Sequence, residues 1–206
     1  LNHQKMQFKM IDIDTLLAWG AVYKKVNQGE IIFREGSSCT FYHQLVEGKV
    51  KWINISDDGR EFIQNLIEPG ECFGELPLFD EEPYAATALA ETDVVIIRLH
   101  KSTFKQLLKE NMDLHFAFSK LLSQRLRYKL LFVKELVNHN PEKCITNLLD
   151  NFRLTRKNIC KKCNRLMLTR QQIADMTGYR VETVIRTMKE MQSRGQLSIT
   201  CGKVYL

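Results

Sequence analysis

The chain has 206 residues, 44% apolar and 26% charged, with a net charge of +6, and no apolar run is long enough to cross a membrane. The charge is unevenly held: residues 1–138 carry 17 Lys and Arg against 19 Asp and Glu, while residues 139–206 carry 13 against 5. A near-neutral part followed by a basic one points to nucleic acid as partner of the C-terminal part, a merely solvated basic face being the plainer alternative. The N-terminus has no secretory signal pattern, so Cys39, Cys72, Cys144, Cys160, Cys163 and Cys201 are expected as scattered cytosolic thiols.

Residues 1–20 offer a weak amphipathic helix with Met10, Ile13, Leu16 and Leu17 apolar. After Val22 short β-rich runs follow, punctuated by Gly29, Gly36, Gly48, Gly59, Gly70 and Gly74. The strand candidates are Ile31–Phe33, Phe41–Val46, Val50–Ile55, Phe62–Ile67 and Val94–Leu99, with a hairpin signal at Asp57-Asp58-Gly59. Such a run predicts a sandwich or small barrel whose inside could hold a small ligand. From Ser102, a candidate cap, the period becomes helical, with Phe104, Leu107 and Leu108 on one face. A longer helix is expected from about Asn111 to Asn138. Its apolar residues Phe118, Leu122, Leu126, Leu130, Val133 and Val137 fall three or four apart, and Leu121, Leu131 and Leu136 widen the surface. A helix so apolar predicts pairing with its twin in a dimer, the alternative being packing within its own chain. Asn138-His139-Asn140-Pro141 breaks it and marks a domain boundary.

The C-terminal part begins with a helix carrying Cys144, Ile145, Leu148, Leu149 and Phe152, then a basic segment, then Leu166–Leu168 as a short strand. Thr169 opens two helices joined by a tight turn. Thr169 and Gln172 have capping-box spacing, Ile173, Ala174 and Met176 form a small apolar face, and Gly178 supplies the turn. In the second helix Val184, Met188 and Met191 make one buried stripe, leaving Arg180, Glu182, Thr183, Ile185, Arg186 and Lys189 on other faces. That arrangement suits a major-groove reader. It also suits an ordinary surface helix in which Glu182 and Arg186 pair at i, i+4. Leu197–Thr200 and Val204–Leu206 read as a closing hairpin, giving a winged helix-turn-helix.

The order of β-barrel, long helix and winged helix-turn-helix resembles the Crp/Fnr family of bacterial transcription regulators over nearly the whole chain. The most specific pieces are FGELPLFDEEPYAATALA at Phe73–Ala90, similar to the family's phosphate-binding cassette, and TRQQIADMTGYRVETVIR at Thr169–Arg186, similar to its DNA-reading unit. The resemblance implies an α+β protein: a double-stranded β-helix (jelly-roll) effector domain over 1–110, a dimerisation helix over 111–138 and a winged helix-turn-helix over 139–206. It implies a cytoplasmic homodimer that binds palindromic duplex DNA, works with RNA polymerase and has no membrane partner. Val181, Glu182, Thr183 and Arg186 match the recognition run of the Fnr branch. Arg186 is then expected to donate twice to guanine, Glu182 to accept from cytosine and Ile185 to touch a thymine methyl. Thr169, Arg170 and Arg180 are expected on phosphates.

The cassette departs from the family pattern. The expected pocket residues are Phe73, Gly74, Glu75, Leu76, Tyr84 and Ala85, with Lys129 and Leu130 from the long helix. Cyclic-nucleotide binders of the family use a glutamate for the ribose, here Glu75, and an arginine for the phosphate, here Tyr84. A tyrosine offers one neutral hydrogen bond and no countercharge. Lys129 and Leu130 replace the family's adenine-contacting hydroxyl pair. Usual cyclic AMP binding is therefore not expected. The barrel holds either a less charged ligand or a filled core, and no cofactor is assigned.

Fnr-type sensors hold an iron–sulfur cluster through cysteines near the N-terminus; here the first is Cys39. Cys160-Lys161-Lys162-Cys163 has the spacing of a zinc half-site or a reversible disulfide, with Cys144, Cys201 and His139 as distant further ligands, or of two plain reduced thiols. His3, His43, His100, His115 and His139 show no H-x-H spacing, and no nucleophile–base pair or phosphate-cradling loop is present, so an enzyme is not expected. A non-transcriptional ligand-binding module remains the other alternative.

Overall fold

The structure is a computed structural model and describes residues 11–206. Met10 of the expected N-terminal helix lies outside them. The helix itself is α1, Ile13–Ala18, whose N-cap Asp12 accepts from the amides of Asp14 and Thr15 at 3.1 and 3.2 Å.

The strands that follow are β1 (Val22–Val26), β2 (Ile31–Phe33), β3 (Phe41–Glu47), β4 (Val50–Ile55), β5 (Glu61–Ile67) and β6 (Cys72–Phe73). The short helix α2 (Leu76–Phe79) precedes β7 (Thr87–Ala90) and β8 (Val94–His100). They form two antiparallel four-stranded sheets, ordered β1-β8-β3-β6 and β2-β7-β4-β5. This is the expected jelly roll. Its interior is filled by Val26, Phe33, Leu45, Val50, Ile67, Phe73, Tyr84, Ala88, Ala90, Val94 and Ile96. Gly48 closes the β3–β4 turn at φ +87°, where an added Cβ would fall 2.3 Å from the Asp93 carbonyl oxygen, so no larger residue fits.

The first sheet has a second core on its outer face. Tyr42, Cys72, Ile97 and Leu99 pack there against Leu16 of α1 and against two further helices, α3 (Lys101–Glu110) and α4 (Met112–Val137). Strand β3 is therefore buried on both sides, Tyr42 outward and Leu45 inward, so four consecutive residues, Tyr42 to Leu45, are shielded from water. The cap of α3 is His100 rather than Ser102: the imidazole Nδ1 accepts from the Ser102 amide at 3.3 Å.

The long helix α4 carries two different surfaces. Phe118 does not lie on an exposed dimer seam as expected. It is buried in the outer core, edge-on to Phe104 at 5.3 Å and near Phe79 at 5.7 Å, with Leu121 beside it. The bulky rings of α2 and α3 complete a pocket that helical periodicity could not reveal. Leu122 is half-buried. Leu126, Leu130, Val133 and Val137 are exposed at 61, 63, 52 and 71%.

The described residues form two compact units, one ending at Leu122 and the other spanning Ser123–Leu206, so the division falls inside α4. In the second unit α5 (Pro141–Thr155) starts from Asn140, whose side chain accepts from the Lys143 amide at 3.0 Å. It supplies Cys144, Ile145, Leu148, Leu149 and Phe152 to a core shared with α6 (Arg170–Thr177) and α7 (Val181–Ser193). The hairpin β9 (Ser198–Thr200) and β10 (Lys203–Tyr205) closes the chain. The strand expected at Leu166–Leu168 is reduced to isolated bridges, Leu166 with Ile159 and Arg165 with Tyr205.

Truncating Phe118 leaves a cavity under both Phe104 and Phe79. Phe118→Ala is expected to destabilise the barrel unit by about 3–5 kcal/mol, and the exposed Phe116→Ala by no more than about 0.5 kcal/mol. Urea unfolding followed by the fluorescence of Trp19 and Trp52, both in this unit, measures the difference.

Candidate nucleic-acid interface and barrel pocket

The helix pair is fixed by local chemistry. Thr169 Oγ1 accepts from the Gln172 amide at 3.1 Å, and Gln172 Oε1 accepts from the Thr169 amide at 3.0 Å, a complete capping box. Gly178 ends α6 in the left-handed region at φ +73°, its amide donating to the Ala174 carbonyl at 2.8 Å. Two residues later Arg180 takes the N-cap position of α7 without a side-chain cap. At the far end of α7, Arg194 Nη1 reaches both carboxylate oxygens of Glu142 at 2.7 and 2.8 Å, tying the helix to α5.

Helix α7 buries Val184, Thr187, Met188 and Met191. The opposite side exposes Glu182, Ile185, Arg186 and Lys189, with Arg180 at its start; Val181 and Thr183 lie half-buried at the margins. Thr169 is exposed and Arg170 half-buried at the start of α6. The structure thus brings the expected reading residues onto one face. Neither Glu182 nor Arg186 forms an ion pair among the described residues, so the plain alternative of an i, i+4 pair is not what orders this face. Not all of the basic excess is at liberty: Arg153 Nη2 donates to the Gln196 carbonyl at 3.0 Å, and Arg194 is held by Glu142. Lys203, on the closing hairpin beside Gly202, is a further exposed cation of this unit.

In the barrel, aromatic rings pack closely around Gly74. Gly74 adopts φ +66°, and a Cβ there would sit 2.4 Å from the Phe33 ring and 3.0 Å from Tyr84. The Phe33 and Tyr84 rings stack at 3.8 Å, 9° from parallel, with Phe73 at 5.9 Å and His43 at 5.5 Å from Phe33. Phe73, Glu75 and Tyr84 are buried, Leu76 is half-buried at the start of α2, and Ala85 is exposed with its carbonyl accepting from Asn54 Nδ2 at 2.8 Å. Tyr84 points its hydroxyl at Cys39 Sγ, 3.1 Å away, and burial together with that bond pushes its phenol well above the usual range. Lys129, half-buried, and Leu130, exposed, belong to the other unit; burial, reinforced by Arg125, lowers the Lys129 pKa.

His43 faces this aromatic interior, directly across the strands from Phe73 and Arg98. Burial lowers its pKa to about 3, with the Arg98 and Lys24 charges adding to the effect. Arg98 lays its guanidinium over the Phe41 ring, 4.6 Å from the centroid.

Residues 23–111 match the cyclic nucleotide-binding domain family, and residues 144–206 match the Crp-like helix-turn-helix domain family. The anaerobic regulatory protein of Bacillus subtilis is 25% identical over 201 residues, covering 95% of this chain and 84% of that protein. The cAMP-activated global transcriptional regulator Vfr of Pseudomonas aeruginosa is 23% identical over 203 residues, covering 93% of this chain and 91% of its own. Among solved structures, the c-di-GMP-responsive global regulator CLP of Xanthomonas campestris superposes with a TM-score of 0.75 at 21% identity, covering 94% of this chain and 97% of its own, a likeness of fold.

The buried imidazole generates a pH prediction. Between pH about 3 and 6.5, His43 is neutral in the folded chain and protonated in the unfolded one. The unfolded state then binds more protons, so stability is full above that window and falls as the pH drops through it, by at most about 1.4 kcal/mol per pH unit from this residue. Urea unfolding across the window is expected to show a flatter acid limb for His43→Leu. An unchanged limb would place the acid sensitivity elsewhere.

Proposed function

We propose, for a chain that belongs to the Crp/Fnr family of transcription regulators, that it is a homodimer reading palindromic promoter DNA through α7. The observation that carries the reading is the exposed set Glu182, Ile185, Arg186 and Lys189 on a capped, glycine-turned helix pair. Arg186 has the fork to bond guanine O6 and N7 together, Glu182 accepts from a cytosine amine, and Ile185 meets a thymine methyl. Thr169, Arg170, Arg180 and Lys189 hold phosphates and set the register.

The exposed stripe Leu126, Leu130, Val133 and Val137 supports a dimer through α4, with spacings of 4, 3 and 4 residues that keep one seam. Phe118 is excluded from that seam by its burial in the outer core. Two reading helices about 34 Å apart would meet successive major grooves of one duplex face. RNA polymerase is the protein partner this role requires, the site of action is the cytoplasm, and the chain carries out no catalysis. Among the described residues no helix is long and apolar enough to cross a membrane.

Cyclic AMP is not the effector in this reading. Tyr84 lacks the charge to neutralise a cyclic phosphate, and the Phe33 ring lies against Gly74 in the cassette. Calorimetric titration of cyclic AMP and cyclic GMP is expected to give no saturable heat at micromolar concentrations, and micromolar binding of either would overturn this part.

The DNA reading is tested by competition binding on a selected palindromic duplex. Arg186→Ala is expected to lose about 1–3 kcal/mol of discrimination at its base pair. Arg170→Ala should weaken selected and random duplexes alike and reduce the salt slope by about one. Unchanged site preference in Arg186→Ala would remove the base-reading assignment.

A further inference from the structure

The sequence has one C-x-x-C, and the structure builds it into a tight reverse hairpin between α5 and α6. The Cys160 amide donates to the Arg165 carbonyl at 2.8 Å, and the Asn164 amide returns to the Cys160 carbonyl at 2.9 Å. Asn164 makes the turn in the left-handed region at φ +55°, which asparagine tolerates better than most residues. The hairpin folds the chain back so that the Cys163 thiol donates to the Cys160 sulfur. Cys160 is half-buried and Cys163 exposed, so both are within reach of a small solute.

The other cysteines lack this arrangement. Cys144 is buried beside Tyr179, and burial raises its pKa. Cys160 goes the other way: the Lys162 amide, then the Cys163 amide and thiol, then the Arg165 charge hold it below the usual thiol range. Among the described residues no third His, Cys, Asp or Glu converges on the pair as a closed metal site needs. A nucleophilic sulfur with a resolving thiol already in contact is the arrangement of an exchange pair.

We propose that Cys160 and Cys163 form a reversible dithiol–disulfide pair, oxidised by a low-molecular-weight disulfide, that tunes the DNA-reading unit. The Cys160 thiolate attacks one sulfur of the small disulfide, forming a mixed disulfide and releasing one small thiolate. Cys163 then attacks the Cys160 sulfur and expels the second, which takes the Cys163 proton. Two protein thiols are oxidised to one disulfide, and one small disulfide is reduced to two thiols.

The coupling runs through backbone bonds. The Leu166 amide donates to the Val204 carbonyl at 2.8 Å, and the Leu206 amide donates to the Asn164 carbonyl at 3.1 Å, so the hairpin is stitched to β10. On its other side the chain reaches the Thr169 cap three residues after Leu166. Closing the disulfide ties the hairpin that supports both elements. It also leaves no ionisable thiol at these two positions beside Lys161, Lys162 and Arg165, which favours a polyanion.

This second half rests on the DNA reading proposed above, and the test separates the two. The full chain is equilibrated in glutathione buffers of rising oxidised fraction, alkylated, digested and analysed by mass spectrometry. The same samples are titrated with the selected duplex. A linked Cys160–Cys163 peptide is expected, reversed by dithiothreitol, abolished in Cys160→Ser and in Cys163→Ser, and retained in Cys201→Ser. Affinity for the duplex is expected to rise about two- to five-fold on oxidation, a change absent from both serine variants. Bonds only between chains, or a bound zinc ion that protects both thiols, would overturn the proposal. A linked peptide with unchanged affinity would overturn the tuning and leave the DNA reading intact. Failure of both redox forms to prefer the selected duplex would overturn the DNA reading and the tuning together.

Discussion

Strands β3 and β8 are covered on both faces, and most of the N-terminal unit follows from that constraint. Ile97, Leu99 and Tyr42 turn outward to meet α1, α3 and the first turns of α4, while Leu45, Val94 and Ile96 turn inward. The outward core recruits Phe118 and Leu121 and fixes where α4 leaves the sheet. The inward core brings the rings of Phe33, Phe73 and Tyr84 together, with Phe33 stacked on Tyr84 over Gly74. Burial of His43 in the same interior, with the Arg98 charge across the strand, keeps it neutral.

In the C-terminal unit the order is imposed locally instead. A capping box, a left-handed glycine and a short turn aim α7, and the Arg194–Glu142 pair fastens its far end. The positive charge that distinguishes this half divides into two kinds. Arg153 and Arg194 hold the unit together, whereas Arg180, Arg186 and Lys189 stay exposed. Composition alone could not separate them, because a count of cations says nothing of which have a carboxylate or carbonyl within reach.

Much of this was legible before the structure. The helix pair and its buried stripe were readable because capping, glycine turns and 3.6-residue periodicity are local signals. Strands Ile31–Phe33 and Val50–Ile55 were readable as β-branched and aromatic runs. β1 was not: four of its five residues are exposed, so Val22–Val26 shows no core-facing alternation. β7 was missed because its buried residues, Ala88 and Ala90, are small and have weak strand preference. The Phe118 error has the same origin as most long-range errors. Periodicity shows that a helix has an apolar face but not what covers each part of it, and here the rings of Phe79 and Phe104 cover the first turns only. The ring stack was half legible: Tyr84 could be read as standing where the resemblance implies an arginine, but Phe33, some fifty residues away in sequence, gave no sign that it would stack on it.

The bare stripe from Leu126 to Val137 has a consequence of its own. Leu126, Leu130, Val133 and Val137 face water, and under the proposed pairing through α4 assembly would be a bimolecular equilibrium set by how much of the chain is present. Where abundance lies below the assembly constant, the paired species grows with the square of abundance. A two-fold symmetric duplex would then respond more steeply to synthesis and turnover than a target read by one copy. The rate at which the chain is made and destroyed would thus become a control input, independent of the barrel's contents.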